Sequence, residues 1–126
     1  MMLQPLPGPP AEFQGWPEDF EWKECVHDET GQSVAVIGLD WRNIPNAVGL
    51  HLEMRMEFGP RAHRQMQTDL EKVEAEARAR GLQNIMACTS NDDPKWPKFV
   101  GMFGFQGVTK MQFAYLPIIT PQGGAL

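Results

Sequence analysis

The residues with chemistry to offer fall in a few short stretches. His51, Glu53 and Arg55 alternate with Leu50, Leu52, Met54 and Met56 between Val48 and Phe58, and a period of two puts the polar set on one face of a strand. A carboxylate between an imidazole and a guanidinium could take a proton from a reacting group. The same alternation is also how the solvated side of a sheet reads. Directly after Gly59-Pro60 come Arg61, His63 and Arg64, at the start of what reads as a helix. Helix N-termini present unpaired N–H donors and a partial positive charge, so they attract anions and disfavour cations. A basic cluster there either meets an anionic ligand or is simply solvated. Cys25 and His27 share one side of an upstream strand, but two ligands do not make a zinc site, and no Cys-x-x-Cys spacing occurs. Cys88 has no flanking cation to activate it and reads as a packing thiol. No metal site is expected.

The element best able to position these groups is a helix from Pro60 to Arg80. Its apolar stripe is Ala62, Met66, Leu70, Val73 and Ala77, and Gly81 is placed to cap it. Glu74 with Arg78 and Glu76 with Arg80 support its exposed face as i,i+4 pairs. Asn84 to Thr89 follows as a short buried strand, and a strand, helix and strand so spaced form a right-handed crossover with parallel strands. Upstream, Phe20 to Val26 and Ser33 to Leu39 flank the turn residues Asp28-Glu29-Thr30-Gly31 and read as a hairpin. Downstream, Pro94 to Phe103 is a short helix with Pro97 in its first turn or at a kink, and Val108 to Leu116 is the last strand. Residues 1–19 carry Pro5, Pro7, Pro9, Pro10 and Pro17 and read as an extended arm ordered by a partner or neighbouring subunit. Residues 20–116 form the domain, and 117–126 an irregular tail. The fold class is α/β of the α+β kind: a mixed, mostly antiparallel sheet with a central parallel pair and two helices.

At 126 residues there is room for one core. The net charge of −5 gives no concentrated basic face, so nucleic acid is not an expected partner. The start, Met1 to Pro10, has neither a basic region nor a continuous apolar one, and no apolar run is long enough to cross a bilayer. A soluble, membrane-free protein is expected, inside a cell or in a particle assembled there.

The order of elements resembles the core of the GNAT (Gcn5-related N-acetyltransferase) superfamily. Within it, the chain is most similar to the short acyltransferase-like proteins of tailed bacteriophages. The resemblance rests on the long helix after Phe58 and on the segment from Asn91 to Gly104-Phe105. It implies acetyl-CoA in the gap between the parallel strands, with its pyrophosphate at the start of the long helix. Arg61, His63, Arg64, Gln65 and Asn91 are then the cofactor-binding candidates, and Glu53 is the catalytic base. The family's phosphate loop, Arg/Gln-x-x-Gly-x-Gly/Ala, reads here Arg61-Ala62-His63-Arg64-Gln65-Met66. Arg64 and Met66 stand where the family has small residues. Its acid, a Tyr in the short helix, is replaced by Phe99 or Val100, and the first strand and two helices that precede the hairpin are not seen, so the fold is truncated at its N-terminal side. The expectation is a catalytically degenerate phage protein, located in the virion or host cytoplasm and acting as a virion or assembly component. Its partners would be other phage structural proteins or identical subunits, bound through residues 1–22, where Phe13, Trp16, Phe20 and Trp22 could anchor. The alternative is an active N-acetyltransferase moving an acetyl group from acetyl-CoA to an amine.

Overall fold

In a computed structural model of the protein, residues 3–88, 94–106 and 113–118 are described. Their strands form one sheet in sequence order: β1 (Leu3–Pro5), β2 (Glu21–Val26), β3 (Ser33–Asp40), β4 (Ala47–Met54), β5 (Asn84–Cys88) and β6 (Phe113–Pro117). Neighbours are antiparallel except β4 and β5, which run parallel on either side of helix α1 (Pro60–Ala79) in the sequence. A second helix, α2 (Trp96–Gly101), separates β5 from β6 in the chain. This is the expected mixed sheet with a central parallel pair and two helices.

Helix α1 buries the whole anticipated stripe, from Ala62 through Met66, Leu70 and Val73 to Ala77. It also buries Gln65 and Asp69, which the apolar pattern does not mark. Its end is a Schellman closure: Leu82 N–H donates to Ala77 at 2.9 Å, and Gly81 N–H to Arg78 at 3.0 Å. That geometry requires φ of 78° at Gly81, a region open to glycine. Glu76 and Arg80 form the expected ion pair on the exposed side.

The two faces of the sheet carry different cores. On the helix side, Leu39, Val48, Leu50 and Ile85 meet the α1 stripe, and Val100 and Phe103 close the cluster. On the other side Phe13, Trp22 and Val36 form a smaller cluster, flanked by Leu6, Trp16 and Phe20. Gly38 is the register partner of Trp22, and a Cβ there would overlap the indole. The ring therefore lies flat across β3 only because that position has no side chain.

The expected arm over residues 1–19 is attached to the sheet. Leu3–Pro5 pairs with Lys23–Cys25 as an edge strand, where proline is tolerated. The turn Ala11–Phe13 then sets the Phe13 ring 5.0 Å from Trp22, whose Nε1 donates to the Pro17 carbonyl at 3.0 Å. What orders this segment is its own sheet: Phe13 and Trp16 need apolar surface and find it in the cluster with Trp22 of β2 and Val36 of β3. A strand therefore does precede the hairpin, contrary to the expected truncation, and the described residues between β1 and β2 hold only a one-turn 3₁₀ helix.

Element ends differ in smaller ways. β4 stops at Met54 instead of Phe58, because its pairing with β3 ends at Ala35 and Met54 and the chain then turns toward α1. Phe58 leaves the sheet to pack on Phe99, with ring centroids 4.9 Å apart. α2 is shorter than Pro94 to Phe103, since Pro97 sits in its first turn and Gly104 takes φ of 90° just beyond its end. Thr89, and the start of the expected last strand from Val108 to Gln112, lie outside the described residues.

Candidate ligand cleft

Pairing of β4 with β5 runs from Ala47 and Asn84 to His51 and Cys88. β4 then continues to Met54 against β3, with no ladder partner on its other side among the described residues. A cavity of about 710 Å³ lies here between the sheet and the two helices. Its wall is mainly apolar, with Leu52, Met54, Phe58, Met66, Trp96 and Phe99 among its members. The polar side chains on the wall are Asp69, Lys95 and Lys98, together with the Cys25 thiol, while Glu53 and Cys88 border the space from strand positions that share the His51 face. Phe58 and Met66 bracket the first turn of α1, so the helix starts at the edge of this space.

The sequence candidates go to different places. Glu53 is exposed and borders the cleft, but strand alternation puts its side chain on the face of its register partner Val36, with His51 and away from the helices. Arg61 and Arg64 are exposed on the first turns of α1, and among the described residues neither side chain has an ion-pair or hydrogen-bond partner. That turn holds no acidic residue and no side-chain cap. His63 turns instead toward α2: its ring lies 4.8 Å from that of Phe103, and Nε2 is 3.3 Å from the Met102 carbonyl. Gln65 points inward and its amide donates to Asp69 at 3.4 Å. Asn91 lies outside the described residues. The expected phosphate loop therefore resolves into two outward guanidiniums and two residues engaged elsewhere. Met66 and Val100, at positions where the family has Gly or Ala and where its Tyr is expected, are core residues at 5% and 4% exposure.

Two polar constellations escaped the sequence reading. Asp69 is almost fully enclosed between α1 and β2, beside the Cys25 thiol and 3.7 Å from Lys72 Nζ. Burial pushes its carboxyl up, against the opposing pull of Gln65, Cys25 and Lys72. Burial and the adjacent carboxylate in turn push the Cys25 thiol far up, so it stays protonated and donates to Asp69. A signal was available: Gln65 and Asp69 are one turn apart and adjoin Met66 and Leu70, within the inward-facing arc of the helix. On the opposite face His51 is stacked on Phe20 and edge-on to Trp16, with centroids 5.6 and 4.9 Å away. Burial holds its pKa below the usual histidine range. Cys88, its register partner, is pushed up to about 11 by burial and then by Asp40. It is a thiol and not a thiolate at neutral pH. Among the described residues no group of three or more His, Cys, Asp or Glu side chains is placed to hold a metal.

No family model matches the sequence, and no curated protein does. Solved structures do match. An acetyltransferase of the GNAT family from Staphylococcus aureus Mu50 superposes with a TM-score of 0.53 at 17% identity, covering 79% of this chain and 68% of its own. The PaiA N-acetyltransferase from Thermoplasma acidophilum, in complex with coenzyme A, gives 0.55 at 18%, covering 77% and 59%. AtaTR bound with AcCoA gives 0.54 at 12%, covering 79% and 70%. This chain thus spans less than two thirds of the Thermoplasma chain. The fold is GNAT acetyltransferase-like.

Proposed function

We propose that this chain is a GNAT-fold module that works by binding and not by acyl transfer, as a virion or assembly component of a tailed phage. The observation that carries this reading is the burial of Met66 and Val100 in one continuous core. Positions that the family uses for close phosphate approach and proton return are committed here to packing. Restoring a glycine at 66 would empty core volume. The partners proposed are other particle proteins or identical subunits, meeting the exposed rim of residues 1–22 around Gln4, Gln14 and Glu18. Phe13 and Trp22 are not part of that rim, because they are buried on the chain's own sheet. Mass spectrometry of purified particles tests the assignment; a chain absent from particles sinks it.

A second reading, an N-acetyltransferase using acetyl-CoA, draws support from Arg61 and Arg64. Two cations at a helix N-terminus, with no partner among the described residues and no acid in the turn, are unfavourably placed unless an anion joins them. In that reading the two guanidiniums would hold phosphate oxygens and Glu53 would take the proton from the amine, while acetyl-CoA would supply the activated acetyl group. Calorimetric titration with acetyl-CoA separates the two. Tight binding abolished by Arg64→Glu would overturn the silent-module reading, and no heat would overturn the enzyme.

A further inference from the structure

We infer that the cavity beneath α1 binds the tail of a linear amphiphile, an apolar acyl chain much longer than acetyl, with its anionic head at the α2 end of the wall. The proposal shares with the second reading above only the premise that the cleft takes a ligand, and needs no acyl transfer. Three observations support it. The first is size: the space is about 710 Å³, within the range of pockets that enclose whole organic ligands. Liquid water takes about 30 Å³ per molecule, so an acetyl group of three heavy atoms would leave most of the cavity unfilled.

The second is the chemistry of the wall. From the α2 side inward it passes Trp96, Phe99, Met54 and Leu52 to Leu70 and Val73, a surface that offers a hydrocarbon contact but gives an extended polar chain few partners. The third is its charge asymmetry. Lys95 and Lys98 lie together at α2, whereas Asp69 is held on the α1 side by Gln65, Cys25 and Lys72. Glu53 also borders the space, but its side chain lies on the sheet face of its register partner Val36, away from the cavity. An anionic head is therefore favoured at Lys98 on α2 and repelled at Asp69, which gives the chain a direction.

An acyl thioester of coenzyme A and a free fatty acid share this chemistry. Calorimetry on the intact chain with dodecanoyl-CoA, dodecanoate and acetyl-CoA distinguishes them. Each added methylene should tighten binding by up to about fourfold, so dodecanoyl-CoA should bind at least about a hundredfold more tightly than acetyl-CoA. Binding of dodecanoyl-CoA but not of dodecanoate assigns the thioester, and comparable binding of both assigns the chain with any anionic head. Leu52→Trp, which fills the space from a half-buried wall position, should weaken the long-chain ligand tenfold or more. Lys98→Glu, at an exposed position, should weaken it as well. Equal affinity for acetyl-CoA and dodecanoyl-CoA would overturn the proposal while leaving the cofactor reading intact. No binding by any of the three would overturn both, and dodecanoate affinity unchanged in Leu52→Trp and Lys98→Glu alike would place the ligand outside this cavity.

Discussion

Arg55 grips Glu12 through two parallel hydrogen bonds, Nε to Oε2 at 2.6 Å and Nη2 to Oε1 at 2.9 Å, across 43 residues of sequence. Its remaining nitrogen reaches Glu24 at 2.8 Å. The guanidinium thus fastens the 3₁₀ turn to the end of β4. Partly exposed pairs contribute about 1 kcal/mol or less, with bidentate ones toward the upper end. Arg55→Ala should cost that much and speed amide exchange over residues 6–16 before the rest of the chain. Arg55 holds the Glu12 carboxyl below its usual range, so its contribution is full above the ordinary glutamate pKa and fades as pH falls through the lowered value. Glu12→Gln should accordingly destabilise at pH 7 and become neutral in strong acid; an equal cost at both would refute the assignment.

Asp69 predicts the opposite sign. Its carboxyl is raised by burial, so between the unfolded and folded values the native state binds the extra proton, and stability falls as pH rises through that window. Asp69→Asn keeps an acceptor for the Cys25 thiol and removes the buried charge. The variant should be more stable than the parent in urea at pH 8, with the gain gone below about pH 4. A loss at pH 8 would mean that Lys72 outweighs desolvation.

For His51, burial disfavours the imidazolium and Asp40 partly opposes this. Below about pH 6.5 the unfolded chain takes up a proton that the folded one resists, so stability declines as pH falls toward the lowered value. His51→Phe retains an aromatic ring against Trp16 and Phe20 and should flatten the change in unfolding midpoint between pH 7.5 and pH 5. An unchanged slope would exclude His51 as its source.

Gly38→Ala should cost about 1–3 kcal/mol, as an overpacked core position does, because the new methyl meets the Trp22 ring and not a flexible side-chain end. Tryptophan fluorescence should report a displaced indole in the folded variant. Wild-type stability with an unshifted spectrum would show that the ring has room to move.

Where sequence periodicity was long, the fold was legible. The 3.6 repeat from Ala62 to Ala77 and the alternation of Leu50, Leu52 and Met54 both landed on the faces they indicated. The proline-rich beginning misled because proline excludes a central strand but not a three-residue edge strand, and because aromatic spacing does not reveal whether a partner or the chain itself supplies the apolar surface. Phe13 and Trp22 pack across a sheet contact that no local pattern encodes.

The site was less legible for a related reason. Arg61 to Gln65 was read as one loop, yet helical geometry turns successive residues by about 100°, so Arg61 and Arg64 face out while Gln65 faces Asp69 and His63 meets Phe103. Asp69 was overlooked because carboxylates are rarely fully enclosed, and the thiol that accompanies it comes from a strand 44 positions earlier in the chain, Cys25.

The brevity of β1 also bears on how copies of this molecule can meet. A sheet margin with free amides invites a foreign strand to add to it, the usual route to fibres and runaway polymers. Here that margin is three residues long and ends at Pro5, with Pro7, Pro9 and Pro10 following before the chain turns back. Prolines have no amide hydrogen to offer an incoming strand. Crowding many copies together would therefore bring side-chain surfaces into contact along this margin without zipping the sheets into one.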